Sequence, residues 1–149
     1  MSELLIRKAT REELHIVREL VYELAVFEKE PDALIATSAE YEQAYDEGLI
    51  DVFVACQKDE IIGMALFYST FSTWKGKTLY LEDFYVKPEI RNMGIGQKLF
   101  NAFLHEAKKL GARQAKWQVL DWNTEAQRFY VRNNAVLEKN WWNGKILIS

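Results

Sequence analysis

"VKPEIRNMGIGQKLF", Val86 to Phe100, sets an arginine and two closely spaced glycines between a run that reads as a strand and a run that reads as a helix. A strand that enters a helix through such a turn leaves several backbone N–H groups directed at one place. With no Cβ at Gly94 and Gly96, an anionic group can come close to that backbone, helped by the positive end of the helix dipole. Arg91 adds a fixed positive charge at the mouth of the turn. A phosphate or pyrophosphate is the ligand such a turn suits, although two glycines alone also fit a loop that merely turns the chain. Two nucleotide motifs do not fit. A P-loop needs Gly-Lys-Ser/Thr where Gly96, Gln97 and Lys98 stand, and the dinucleotide fingerprint needs a third glycine where Leu99 stands.

After the turn, "GQKLFNAFLHEAKKLG" places Leu99, Phe100, Phe103, Leu104, Ala107 and Leu110 on one helical face and stops at Gly111. Before it, "DVFVACQ" and "IIGMALFYSTF" read as an antiparallel hairpin across "KDE", and "TLYLEDFYV" as the next strand. "ELLIRKA" is a first strand. "TREELHIVRELVYELAVFE" is a helix opened by a Thr10–Glu13 capping box, and "TSAEYEQAYDEG" a short acidic helix ending at Gly48. "RQAKWQVLD" is a strand, "NTEAQRFYVRNN" a helix capped by Asn123, and "AVLEKNWWNGKILIS" a closing hairpin turning near Asn143 and Gly144. This order implies an α/β (α+β) fold with a mixed sheet and helices on its faces.

The chain has 149 residues, 49% hydrophobic and 28% charged, which suits one domain over 1–149 with a substantial core. A net charge of −3 argues against nucleic acid as a partner. No apolar run nears the ~20 residues of a membrane span and no secretory signal is evident, so a cytoplasmic location away from membranes is expected. Cys56 is the single cysteine and reads as a packed thiol. No His/Cys cluster suggests a metal.

Arg91, Gly94 and Gly96 also match the pattern Arg/Gln-x-x-Gly-x-Gly/Ala. With "IR.AT", "ELA.FE", "W.GK.LYLEDF.V", "GIG" and "W..N.....FY", the sequence resembles the GNAT superfamily of N-acetyltransferases over nearly its whole length. Within it, the spermidine/spermine and diamine or thialysine N-acetyltransferases are most similar. Asn92 stands where Gly is common, and the C-terminal end is shorter than in the animal polyamine enzymes. The resemblance implies a mostly antiparallel sheet of about seven strands flanked by about four helices, acetyl-CoA as cosubstrate, and a homodimer.

It also implies the roles of particular residues. Phe84, Tyr85 and Val86 would hold the pantetheine arm, and Arg91, Asn92, Met93, Gly94, Ile95, Gly96 and Gln97 the pyrophosphate, with Asn123 also near the cofactor. Tyr130 would protonate the departing thiolate. A free alkylammonium has a pKa near ~10.4, so only about one molecule in a thousand is neutral at pH 7.4, and a base or proton path is needed. Glu82 of "LED" is the carboxylate associated with that task, while Asp83, adjacent on a regular strand, should point to the opposite face. Glu28, Trp74 and Trp142 join Glu82 and Asp83 as acceptor contacts, since aromatic walls beside carboxylates suit a cationic chain. The expected activity is direct acetylation of a small-molecule primary amine, either a di- or polyamine or a lysine-like amino acid such as thialysine. Acetylation of a protein or peptide amine, or a non-catalytic CoA-binding module, are the alternatives.

Overall fold

A computed structural model describes residues 3–90 and 93–148 of the chain. These form two compact units, 1–117 and 118–149. The first holds a five-stranded sheet in the order β1-β2-β3-β4-β5: β1 Leu5–Lys8, β2 Asp51–Gln57, β3 Glu60–Ser72, β4 Gly76–Val86 and β5 Gln114–Trp117. Neighbours pair antiparallel except β4 and β5, which are parallel. Helices α1 (Leu14–Phe27), α2 (Ser38–Asp46) and α3 (Ile95–Lys109) complete the first unit.

Short-range chemistry sets most of these boundaries. Lys58 and Asp59 both have positive φ, 53° and 62°, which gives β2 and β3 the tight two-residue turn that matches strand twist. The expected capping box is present: Thr10 and Glu13 satisfy each other's backbone N–H groups, and Arg7 holds both carboxylate oxygens of Glu13 at 2.8 and 2.7 Å. The Thr37 hydroxyl caps α2 by accepting the Glu40 N–H at 3.2 Å. Gly111, at φ +76°, ends α3, with the Ala112 N–H returning to the Ala107 carbonyl at 2.9 Å.

The sheet is covered on both faces. Val52, Val54, Met64, Leu66 and Tyr85 pack toward Leu14, Val17, Leu20 and Val21 of α1, with Tyr41 and Tyr45 of α2 alongside. On the opposite face Ala55, Ile62 and Val86 pack against Ile95 and Leu99 of α3, while Phe67 meets Phe103 edge to face. Cys56 is a buried thiol at the edge of the first layer.

Three features differ from the sequence expectation. Leu104 of α3 and Leu110, just past its end, are exposed, and Glu106 is buried, its carboxylate bonded at 2.8 Å by Lys8 of β1. Among the described residues there are five strands, not about seven. The shortfall includes the C-terminal stretch: residues 135–148 form no strand, and the Ile146, Leu147 and Ile148 side chains are exposed. A two-stranded hairpin has too few pairs to hold by itself, so alternation and a turn signal were not enough there.

The second unit contains α4, Thr124–Arg132, whose N-terminus is closed by Asn123 Oδ1 accepting the Ala126 N–H at 3.2 Å. Gln127 donates to the Leu120 carbonyl at 2.8 Å, and Gln118 to Asn143 Oδ1 at 3.3 Å.

Candidate active site

Strand β4 carries the chemistry, and an irregularity in its pairing decides how. Leu81 lies opposite Phe67 and Asp83 opposite Leu66, so Glu82 is an extra residue with no partner position on β3. Such a β-bulge interrupts the alternation of side chains. Asp83 shares the face of its cross-strand partner Leu66, which packs in the α1 layer. Tyr68, two residues beyond Leu66, lies on that same face, and its hydroxyl donates to Glu82 Oε1 at 2.7 Å. The expectation that Glu82 and Asp83 diverge is therefore corrected: the bulge turns both toward the α1 and α2 side.

Other groups converge there. Burial, then the charges of Glu82 and Glu28, pushes the Asp83 carboxyl up to about 7. Glu28, which caps the end of α1, has its own carboxyl raised by burial. Tyr41 of α2 is pushed up to about 12 by burial and the charge of Asp83, with Arg18 opposing. Tyr68 stacks on Tyr80 with ring centres 5.4 Å apart, and its phenol is raised by burial and by the bond to Glu82. The result is a wall of three carboxylates and three phenols, the setting in which a cationic group is welcome and a proton is easily relocated. Tyr68, Tyr80 and Tyr41 were not read from the sequence as part of a site. Tyr68 and Tyr80 look like ordinary strand aromatics until the hairpin register is known.

The β4–β5 ladder ends at Leu81 and Trp117, so the bulge and the end of β5 fall together while β4 continues to Val86. In that continuation Phe84 faces the α3 layer, 5.9 Å from the Phe100 ring, and Tyr85 faces the α1 layer, donating to Glu23 Oε1 at 3.0 Å. At the start of α3, Gly94 is the N-cap with φ +77° and has no side chain to offer, whereas the N-cap side chains of Thr37 and Asn123 close α2 and α4. Ile95 is buried, Met93 exposed, and Gln97 donates to Asn101 Oδ1 at 2.9 Å. Arg91 and Asn92 lie outside the described residues.

The remaining predicted positions are apart from the carboxylates or in the second unit. Trp74 sits in the β3–β4 turn, 83% exposed and four pairs beyond Tyr68–Tyr80. Trp142 is 97% exposed, and Tyr130 is the buried residue of α4, its ring edge-on to Phe129 at 5.6 Å.

Residues 14–134 match the model of the acetyltransferase (GNAT) family. The chain belongs to that family. It is an N-acetyltransferase, and its acetyl donor is acetyl-CoA. This GNAT chain is 35% identical over 143 residues to a thialysine N-epsilon-acetyltransferase of Bos taurus, covering 87% of the chain and 82% of the relative. It is 34% identical over 111 residues to a protein of the same name from Caenorhabditis elegans, covering 74% and 69%. Its fold resembles that of an aminoglycoside N-acetyltransferase solved in complex with CoA, at 18% identity, with a TM-score of 0.78 and coverage of 97% and 96%. No described helix of the GNAT chain is long and apolar enough to cross a membrane.

Proposed function

We propose that the protein, as one domain over 1–149, acetylates the primary amine of a lysine-like small molecule such as thialysine. The bulge at Glu82 carries this reading. It gathers Glu82, Asp83 and Glu28 at one place, and a cationic alkylamine satisfies carboxylates that burial and mutual repulsion otherwise disfavour. The names of the relatives favour thialysine among such amines. Three carboxylates also suit a substrate with more than one cationic centre, so a di- or polyamine is the second reading.

Acetyl-CoA supplies an activated thioester carbonyl. The residues present fit it. A Cβ at Gly94 would meet nothing within 4 Å, and Gly94 as N-cap has no side chain of its own to place over the helix end, which suits close approach of an anion to the positive end of α3. In this reading Met93 to Gln97, with Arg91 and Asn92, hold the pyrophosphate, and the β4 backbone from Phe84 to Val86 lies along the pantetheine arm, with Asn123 near the cofactor. The carboxylates of β4 bind the ammonium and take its proton. The amine attacks directly, Tyr130 protonates the departing thiolate, and Trp74 and Trp142 add aromatic surface to the acceptor side. The protein acts as a cytoplasmic homodimer.

The test is release of CoA thiol from acetyl-CoA with thialysine, lysine, putrescine, spermidine, spermine and a peptide with a free N-terminus. Turnover highest with thialysine supports the reading, and turnover with the peptide alone would replace it by protein acetylation.

A further inference from the structure

Two adjacent carboxylates on one face raise the question of which accepts the proton. Their surroundings are unequal. Glu82 is exposed, and one of its oxygens already accepts the Tyr68 hydroxyl at 2.7 Å, on a ring braced by stacking against Tyr80. Asp83 is more deeply set, opposite the buried Leu66, and its carboxyl has no hydrogen-bond donor among the described residues. The groups that act on it are Glu82 on its own strand, Glu28 at the end of α1, Tyr41 on α2 and Tyr68 on β3, with Arg18 of α1 near Tyr41.

We infer that Asp83, and not Glu82, accepts the proton from the incoming ammonium, and that Glu82, held by the Tyr68 hydroxyl, is the fixed anion that anchors it. This inference rests on the small-amine reading above and refines it. The chemistry balances. One proton passes from R–NH3+ to the Asp83 carboxylate, leaving R–NH2 and a neutral acid. The nitrogen lone pair forms the C–N bond while the C–S bond breaks and its electron pair leaves on sulfur. The second N–H proton, lost as the amide forms, balances the one taken up by the thiolate, and Asp83 returns its proton to solvent.

Energetics favour the assignment. An ordinary aspartate, near ~3.9, is poorly matched to an ammonium near ~10.4. A carboxyl held at about 7 halves that gap and remains ionised often enough at neutral pH to act. Tyr68 is then a positioning residue. Its hydroxyl, on a ring stacked against Tyr80, holds the Glu82 carboxylate in place.

The experiment is the pH dependence of kcat/KM for wild type, Asp83→Asn, Glu82→Gln and Tyr68→Phe with an amine that the wild type acetylates, alongside acetyl-CoA binding by calorimetry. Wild-type activity should rise through a limb near pH 7, where Asp83 loses its proton. Asp83→Asn should lose that limb and about 100-fold in kcat. Glu82→Gln should keep the limb but move it to lower pH, since a repelling charge is gone, and raise KM roughly tenfold. Tyr68→Phe should raise KM several-fold with the limb unmoved, which a merely structural loss would not do. A limb that survives in Asp83→Asn, or vanishes in Glu82→Gln, overturns the assignment while leaving the transferase intact. A wild type that binds acetyl-CoA and acetylates no small amine overturns the reading beneath it and the assignment together.

Discussion

At Gly94 the φ of +77° lies in the left-handed region, where any other L residue is strained whatever space surrounds it. Gly94→Ala should therefore lower stability by about 1 kcal/mol as well as weaken acetyl-CoA binding, and the two effects are entangled. Gly96 separates them. A Cβ there would make ordinary contacts, 3.6 Å to Phe84 and 3.9 Å to Val86, and alanine suits a helix better than glycine. Gly96→Ala should leave the melting temperature equal or slightly higher, yet weaken acetyl-CoA at least tenfold by calorimetry if an anion approaches that backbone. Unchanged affinity would remove the pyrophosphate from this turn. For Tyr130→Phe the expected result is a fall in kcat of about 100-fold with acetyl-CoA affinity retained, and an undiminished kcat would end its role as the proton donor.

Elements separate what sequence reveals from what it hides. Where capping and periodicity act within a few residues, the chain was readable: Thr10 with Glu13, Asn123 and Gly111 bound their helices as expected. The first of these gives a pH prediction. The Arg7 guanidinium, with the Thr10 N–H, lowers the Glu13 carboxyl to about 2. A depressed carboxylate stabilises the fold above its unfolded pKa, near ~4.3, and that contribution is lost as pH falls toward about 2. Glu13→Gln should therefore cost about 1–2 kcal/mol at pH 7 in a urea titration, and the gap from wild type should close across that acidic window. The bulge was hidden because nothing in "LYLEDFYV" marks it. It is fixed by register against β3, through Leu66 and Phe67, which lie some fifteen residues earlier. Glu106 was missed for a similar reason, since its burial depends on Lys8, distant in sequence.

For the whole molecule, the site and the fold make opposing demands. Asp83 is protonated in the folded chain up to about pH 7 but ionises near ~3.9 once unfolded, so folded stability falls as pH rises between those values. Asp83→Asn should be more stable than wild type. Its advantage in melting temperature should grow from pH 4 to 7 and then level off, whereas an advantage that is constant with pH would deny the raised carboxyl. Assembly is a separate matter. Sedimentation should give twice the 17.5 kDa chain mass, and removal of residues 136–149, which expose Trp142 and Ile146 to Ile148, should return the monomer. A wild type of one chain mass would exclude the dimer.

The strand geometry at Glu82 also says what deletion would do. Because Leu81 and Asp83 already face consecutive residues of β3, removing Glu82 outright would join them in an unbroken ladder and leave Asp83, Phe84 and Tyr85 on the faces they now occupy. Most single-residue deletions within a strand invert everything beyond them. This one would not, so a chain of 148 residues should keep the fold and lose the anchor for the amine. The residue is an insertion that the β3–β4 ladder does not need.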